Sequence, residues 1–350
     1  MWMKRPYSIN RLSSLLASLF LLTMALPGTG HTGAFEDARD AYEVRNYAQA
    51  RKLFRDLAEQ NHPESQNYLG IMYKSGRGVP RNYRQAAYWY GRAAKNGYGR
   101  AQSNLANMYF RGQGVPRDGA KAAYWYRRAA ISGEASAQRM TAQFYEKGVA
   151  GVEKNPELAA KWYAKAGKQW DKVSQRKLGQ MFREGRGVPK DDKKAFLWLK
   201  RAAGQGDTIA QSNLGGMYKS GDGVAKDVKK AVKWYRAAAN SGERVAQNNL
   251  AVMYQTGNGI RRDMEQAIYW YRQSAGRGYR TAQKNMAYLY RNGLGVPRDF
   301  GMADYWYQRS VAPSESRGLP DLSSVGFGSS ESQDGAATQS PEWWQQLSNQ

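Results

Sequence analysis

The chain has 350 residues, 41% of them hydrophobic, and carries a formal net charge of +24. It contains no Cys, which excludes disulfides and Cys-ligated metal, and only two His, His31 and His62, too few for a multi-His metal site or a His-centred triad. A charge of that size favours anionic partners and speeds encounter with them, without deciding the fold.

Residues 1–30 read as a secretory signal peptide. Lys4, Arg5 and Arg11 form a basic start, Leu12 to Leu26 is an uncharged apolar-leaning run, and Pro27-Gly28-Thr29-Gly30 supplies a breaker and small residues where cleavage would fall. The run is shorter than the ~20 residues a membrane span needs. The expectation is a mature protein that is periplasmic or secreted, with no integral membrane segment after signal cleavage.

From residue 65 to 310 the chain repeats. Trp89, Trp125, Trp162, Trp198, Trp234, Trp270 and Trp306 recur at a ~36-residue step. A fixed period in that range marks stacked supersecondary units. In the first half of each unit a trio at helical spacing marks an apolar face. Leu105, Ala106 and Tyr109 are one copy, and Thr141, Ala142 and Tyr145 are the weakest. The small second residue lets a neighbouring helix approach. A Gly-x-Gly loop follows, as at Gly112-Gln113-Gly114, where glycine supplies a left-handed stop. It sits between helices and recurs, so it is not a phosphate-binding loop. Seven residues before each Trp stands Asn82, Asp118, Asn155, Asp191, Asp227, Asp263 or Asp299, a helix N-cap column. Asn46 extends that column into residues 31–64, a divergent N-terminal helix pair.

After the Trp helices a glycine closes the turn at Gly97, Gly133, Gly206, Gly242 and Gly278, whereas Trp170 stands there in the third repeat. A bulky residue fits poorly in a left-handed cap, so the junction near 167–174 is expected to differ in geometry. Residues 311–350 form a Ser/Gly-rich stretch expected to be disordered, ending in the apolar island Trp343-Trp344. The period alone predicts an all-α solenoid of about eight helix pairs, with the Trp column in the core.

The pattern Leu-Gly-x-Met-Tyr, Gly-x-Gly-Val, Asp and Ala-x-x-Trp-Tyr resembles the Sel-one-like repeat, a relative of the tetratricopeptide repeat. The resemblance implies a right-handed superhelical solenoid whose first helices line a concave surface. It further implies adaptor or scaffold work rather than catalysis, and no cofactor.

On the first helices, the positions away from Leu and Tyr are the candidates for that surface. They yield Lys74, Asn104, Asn107, Arg183, Asn213, Lys219, Asn249, Asn285 and Arg291. Asn amides both donate and accept, so a row of them suits an extended peptide backbone, and the bases suit carboxylates. The other reading is that the Asn side chains bond neighbouring helices and the bases are merely solvated. Two functions follow. One is an exported scaffold that binds an acidic or extended segment of a protein partner. The other is a basic solenoid that binds an anionic polymer such as an acidic exopolysaccharide or cell-wall glycan. Nucleic acid suits the charge but not the export signal, and no acid pair stands apart from the repeat to suggest catalysis or a metal.

Overall fold

The computed structural model describes residues 32–312; the expected signal peptide at 1–30 and the tail beyond 312, with Trp343-Trp344, lie outside the described residues. These residues form sixteen α-helices and no strand. They are α1 Thr32–Glu43, α2 Tyr47–Glu59, α3 Pro63–Ser75, α4 Tyr83–Lys95, α5 Gly99–Arg111, α6 Gly119–Ile131, α7 Ala135–Lys147, α8 Pro156–Lys168, α9 Lys172–Glu184, α10 Asp192–Gly204, α11 Thr208–Ser220, α12 Val228–Asn240, α13 Arg244–Thr256, α14 Met264–Gly276, α15 Arg280–Asn292 and α16 Phe300–Val311. Each helix packs chiefly on the next in sequence, so odd and even helices form two layers of a solenoid.

Local rules set the element ends. The Asn/Asp column caps all eight even helices; Asn46, Asp118 and Asp299, for example, accept from the backbone N–H groups of Gln49, Lys121 and Met302. The odd helices from α3 onward stop at a left-handed glycine, from Gly76 at φ 76° to Gly293 at φ 67°. The second loop glycine has a further reason. A Cβ on Gly187 would meet the Cβ of Pro156 at 2.7 Å and its backbone more closely still. That glycine lets six of the seven loops rest on the first turn of the preceding even helix; at Gly151 of the third unit a Cβ would meet nothing.

The core differs from the expected Trp column. Trp89 and Trp306 are buried, but Trp125, Trp162, Trp198, Trp234 and Trp270 are only half-buried. The residue that follows each Trp is the deep one: Tyr90, Tyr126, Tyr163, Leu199, Tyr235 and Tyr271 are all 3% exposed or less. Their side chains fill the space left by the small residue of the same unit's odd helix. A Cβ on Gly70 would lie 2.5 Å from the Tyr90 ring, and one on Gly215 would lie 2.8 Å from that of Tyr235. Each Trp instead packs toward the preceding even helix, as Trp198 does over Gly167, and basic side chains cover several of them, with Lys165 4.3 Å above Trp162.

A buried Gln column, passed over in the sequence because Gln is polar, ties the layers together. Gln66, Gln102, Gln138, Gln175, Gln211, Gln247 and Gln283 each donate Nε2 to a carbonyl eight residues earlier, in the last turn of the preceding even helix. That carbonyl lies beyond the reach of the i+4 ladder and also accepts the N–H three residues on, as Ala94 O does from Gly97 N.

The junction at Trp170 keeps the geometry of the others. Trp170 itself takes φ 65°, and Asp171 N donates to Ala166 O as Tyr98 N donates to Ala93 O. The bulky residue bears the strain instead of relieving it, with its side chain 69% exposed. Trp170→Gly is expected to raise stability by about 1 kcal/mol, since a non-glycine residue in this region costs ~1–2 kcal/mol. The denaturant midpoint checks this.

Candidate functional site

The odd helices lie side by side, and their outward positions form one face of the solenoid. A cavity of about 300 Å³ on this face takes its lining from Tyr42 of α1, Asn67 and Tyr68 of α3, Asn104 of α5 and Ser136 of α7. Lining from four successive odd helices requires that layer to curve inward. A second cavity of about 280 Å³ adjoins it and shares Ser103 and Ser136. Phe110, Tyr126, Met140 and Phe144 form its apolar wall, and Asn107, Arg111, Arg139, Gln143 and Lys147 its polar rim.

The nine predicted residues do not converge, because they are spread over six units. Asn104 and Asn107 line these cavities. Their amides are already engaged: Asn104 Nδ2 donates to Asn67 Oδ1 at 3.0 Å, Asn107 Nδ2 donates to the Ser103 carbonyl, and Asn107 Oδ1 accepts from the Tyr126 hydroxyl at 2.7 Å. Asn285 Nδ2 likewise donates to Asn248 Oδ1 at 3.0 Å. Asn213 Nδ2 is buried with no partner, and Asn249 is half-buried. The expected open strip of amides is thus in part a ladder between adjacent odd helices. Lys74, Arg183, Lys219 and Arg291 stand in the last turns of α3, α9, α11 and α15. Cations there complement the helix dipole whether or not a partner is bound.

A column of ion pairs and one buried carboxylate cluster also serve the array. Arg176 pairs with Asp207 at 3.0 Å and Arg139 with Asp171 at 3.4 Å, each acid being the N-cap of the next odd helix. Glu146 of α7 is a second sheltered acid on this face, with its side chain 8% exposed. Tyr163 Oη donates to Oε2 at 2.6 Å, while Lys177 Nζ and Arg186 Nη1 reach Oε1 at 3.2 and 3.0 Å. Burial alone would push this carboxyl up. The Tyr163 hydrogen bond and the two cations outweigh it and hold the carboxyl below its ordinary range. Burial and then the carboxylate push the Tyr163 phenol up, which keeps it a donor.

A depressed carboxyl contributes stability above its unfolded value of ~4.3, and that contribution disappears as pH falls through the folded value. Glu146→Gln is therefore expected to lower the denaturant midpoint at pH 7, by a margin that narrows as pH falls below ~4.3. A margin as wide in acid as at pH 7 would contradict this account of the cluster.

Sequence reasoning missed Arg111, Gln143 and Lys147. The available signal was the weakness of the third copy. Where units two, five and six carry an Asn and a Leu, this one carries Met140 and Thr141. Met140 interrupts the Asn ladder at the cavity beside it.

The family model for the Sel1 repeat matches eight successive stretches: residues 40–62, 63–98, 99–134, 135–169, 172–207, 208–243, 244–279 and 281–312. No curated protein matches the chain. Among solved structures it is similar to a protective antigen present in uropathogenic Escherichia coli strains displaying an SLR fold, at 32% identity and a TM-score of 0.71. That match covers 81% of this chain but only 64% of the antigen. It is also similar to a Sel1 repeat protein from Oxalobacter formigenes, at 29% identity and a TM-score of 0.60, covering 81% of this chain and 86% of that one.

Proposed function

The chain belongs to the Sel1 repeat family, whose members are generally protein-interaction scaffolds, and from that premise we propose that this one is an exported, non-catalytic adaptor that binds a segment of a protein partner along its odd-helix face. The observation that carries this reading is the adjoining pair of cavities between α1 and α7. Together they offer an apolar wall at Phe110, Tyr126 and Phe144 beside basic groups at Arg111 and Lys147. That chemistry suits a partner segment pairing an aromatic or aliphatic side chain with a carboxylate. The amide ladder narrows the notion of a row of free Asn to the places where the ladder is interrupted. A polar polymer would gain little from the apolar wall, which favours the protein partner over an anionic glycan.

Export rests on residues 1–30 and is supported by the similar Escherichia coli protein being a protective antigen. No helix among the described residues is long and apolar enough to cross a membrane. Photo-crosslinking in cells tests the reading. A benzoylphenylalanine at Gln143, in the cavity, is expected to capture one discrete protein, and the same probe at Arg128, on the even-helix face, to capture none. Capture from Arg128 alone, or glycan adducts from both positions, would reverse the assignment.

A further inference from the structure

Among the described residues, nothing covers the C-terminal end of the solenoid. Tyr307 occupies the column of Tyr90, Tyr126, Tyr163, Tyr235 and Tyr271, which are buried to 3% exposure or less, yet it is 52% exposed. The difference is that no further odd helix packs on α15 and α16 among the described residues. Tyr288 and Val311 are 57% and 48% exposed at the same end. A cavity of about 520 Å³ opens there, lined by Lys284, Ala287, Tyr288, Arg291, Ala303 and Tyr307. Repeat arrays require a polar outer face on their last unit to stay soluble, and this end has an aromatic and basic one.

We propose that the chain covers this end itself: the segment Pro341–Leu347, Pro-Glu-Trp-Trp-Gln-Gln-Leu, docks in the cavity between α15 and α16. Three observations converge on that occupant. The segment carries the only Trp residues beyond residue 312, Trp343 and Trp344, and two indoles can each bury ~150–250 Å² against Tyr288 and Tyr307. The charges are complementary. The chain beyond residue 312 holds five acids and one base, with Glu342 adjoining Trp343, whereas the cavity presents Lys284 and Arg291. The reach is sufficient. The chain leaves α16 beside α15, where Arg280 Nη2 donates to the Ala312 carbonyl at 3.3 Å. The 30 residues at positions 313–342, rich in Ser and Gly, have a root-mean-square span of about 30 Å. A tether of that length holds the segment at an effective concentration of about a millimolar, so a weak contact is enough to keep the end covered.

Hydrogen exchange on the full chain tests the proposal. Trp343→Ala with Trp344→Ala lies outside the array and leaves its packing intact. It is expected to speed amide exchange in α16 and the last two turns of α15 at least tenfold, with α3 to α12 unchanged. Lys284→Glu with Arg291→Glu is expected to reproduce the effect at least threefold in α16. Exchange in α16 of the tail variant within twofold of wild type would overturn the proposal. Protection that disappears on dilution, together with a dimer mass, would overturn it in favour of a second copy as the occupant.

Discussion

Tyr163→Ala is expected to destabilise the solenoid by about 3–5 kcal/mol, the range for truncating a fully buried aromatic residue, and its neighbour Trp162→Ala by clearly less. Tyr163 is 0% exposed, sits between α8 and α7, and donates to Glu146 at 2.6 Å. Its loss opens a cavity and removes one of the three groups that hold the buried carboxylate. Trp162 is half-buried beneath Lys165, so truncating it removes less area from a site that solvent already reaches. Because each unit contacts only its neighbours, the array need not unfold as one step. The comparison is therefore between denaturant midpoints measured by a probe in units three and four. A Trp162→Ala effect equal to or greater than that of Tyr163→Ala would restore the Trp column as the core.

The second large effect lies in the loops. Gly187→Ala is expected to lower stability by about 2–5 kcal/mol and Gly206→Ala by about 1 kcal/mol, although the two share nearly the same backbone conformation, φ 72° and 77°. Alanine in the left-handed region costs ~1–2 kcal/mol at either site. A Cβ at Gly206 meets nothing within 4 Å, but at Gly187 it meets the backbone and Cβ of Pro156 at the start of α8. Overpacking of this kind adds ~1–3 kcal/mol. Thermal or urea unfolding of the two variants separates the backbone term from the contact term. Equal losses would mean that the loop moves off α8 at no cost.

What could be read in the sequence, and what could not, follows from the range of the interactions. The helix ends were legible because caps and left-handed glycines are local: Asp118 needs only the amides of its own first turn, and Gly112 only its own φ. The fold class was legible because the period is global. Which neighbour buries which residue was not. Trp125 and Tyr126 are adjacent on α6 and differ by about 100° in direction, and only the placement of α5 and of the previous unit decides that Tyr126 goes deep. The Gln column escaped because a polar side chain at seven equivalent positions looks like surface until the last-turn carbonyls it serves are placed eight residues behind it. Asn104 and Asn285 looked available because their acceptors, Asn67 and Asn248, lie 37 residues away. The cavity at α5 and α7 arises where the repeat departs from its own pattern, so the consensus that revealed the fold concealed the site. Variation between copies is the better guide to function in this solenoid, and of the seven Trp-bearing units the third varies most.

The central claim is that the odd-helix face around Arg111 and Lys147 holds the partner. Both residues sit on the cavity rim, exposed at the last turns of α5 and α7. The direct measurement is the equilibrium affinity of the partner crosslinked from Gln143, for wild type and for two charge reversals. Arg111→Glu with Lys147→Glu is expected to weaken binding at least tenfold, while Arg128→Glu on the even-helix face changes it less than twofold. Equal weakening by both reversals, or none by the first, would contradict the claim.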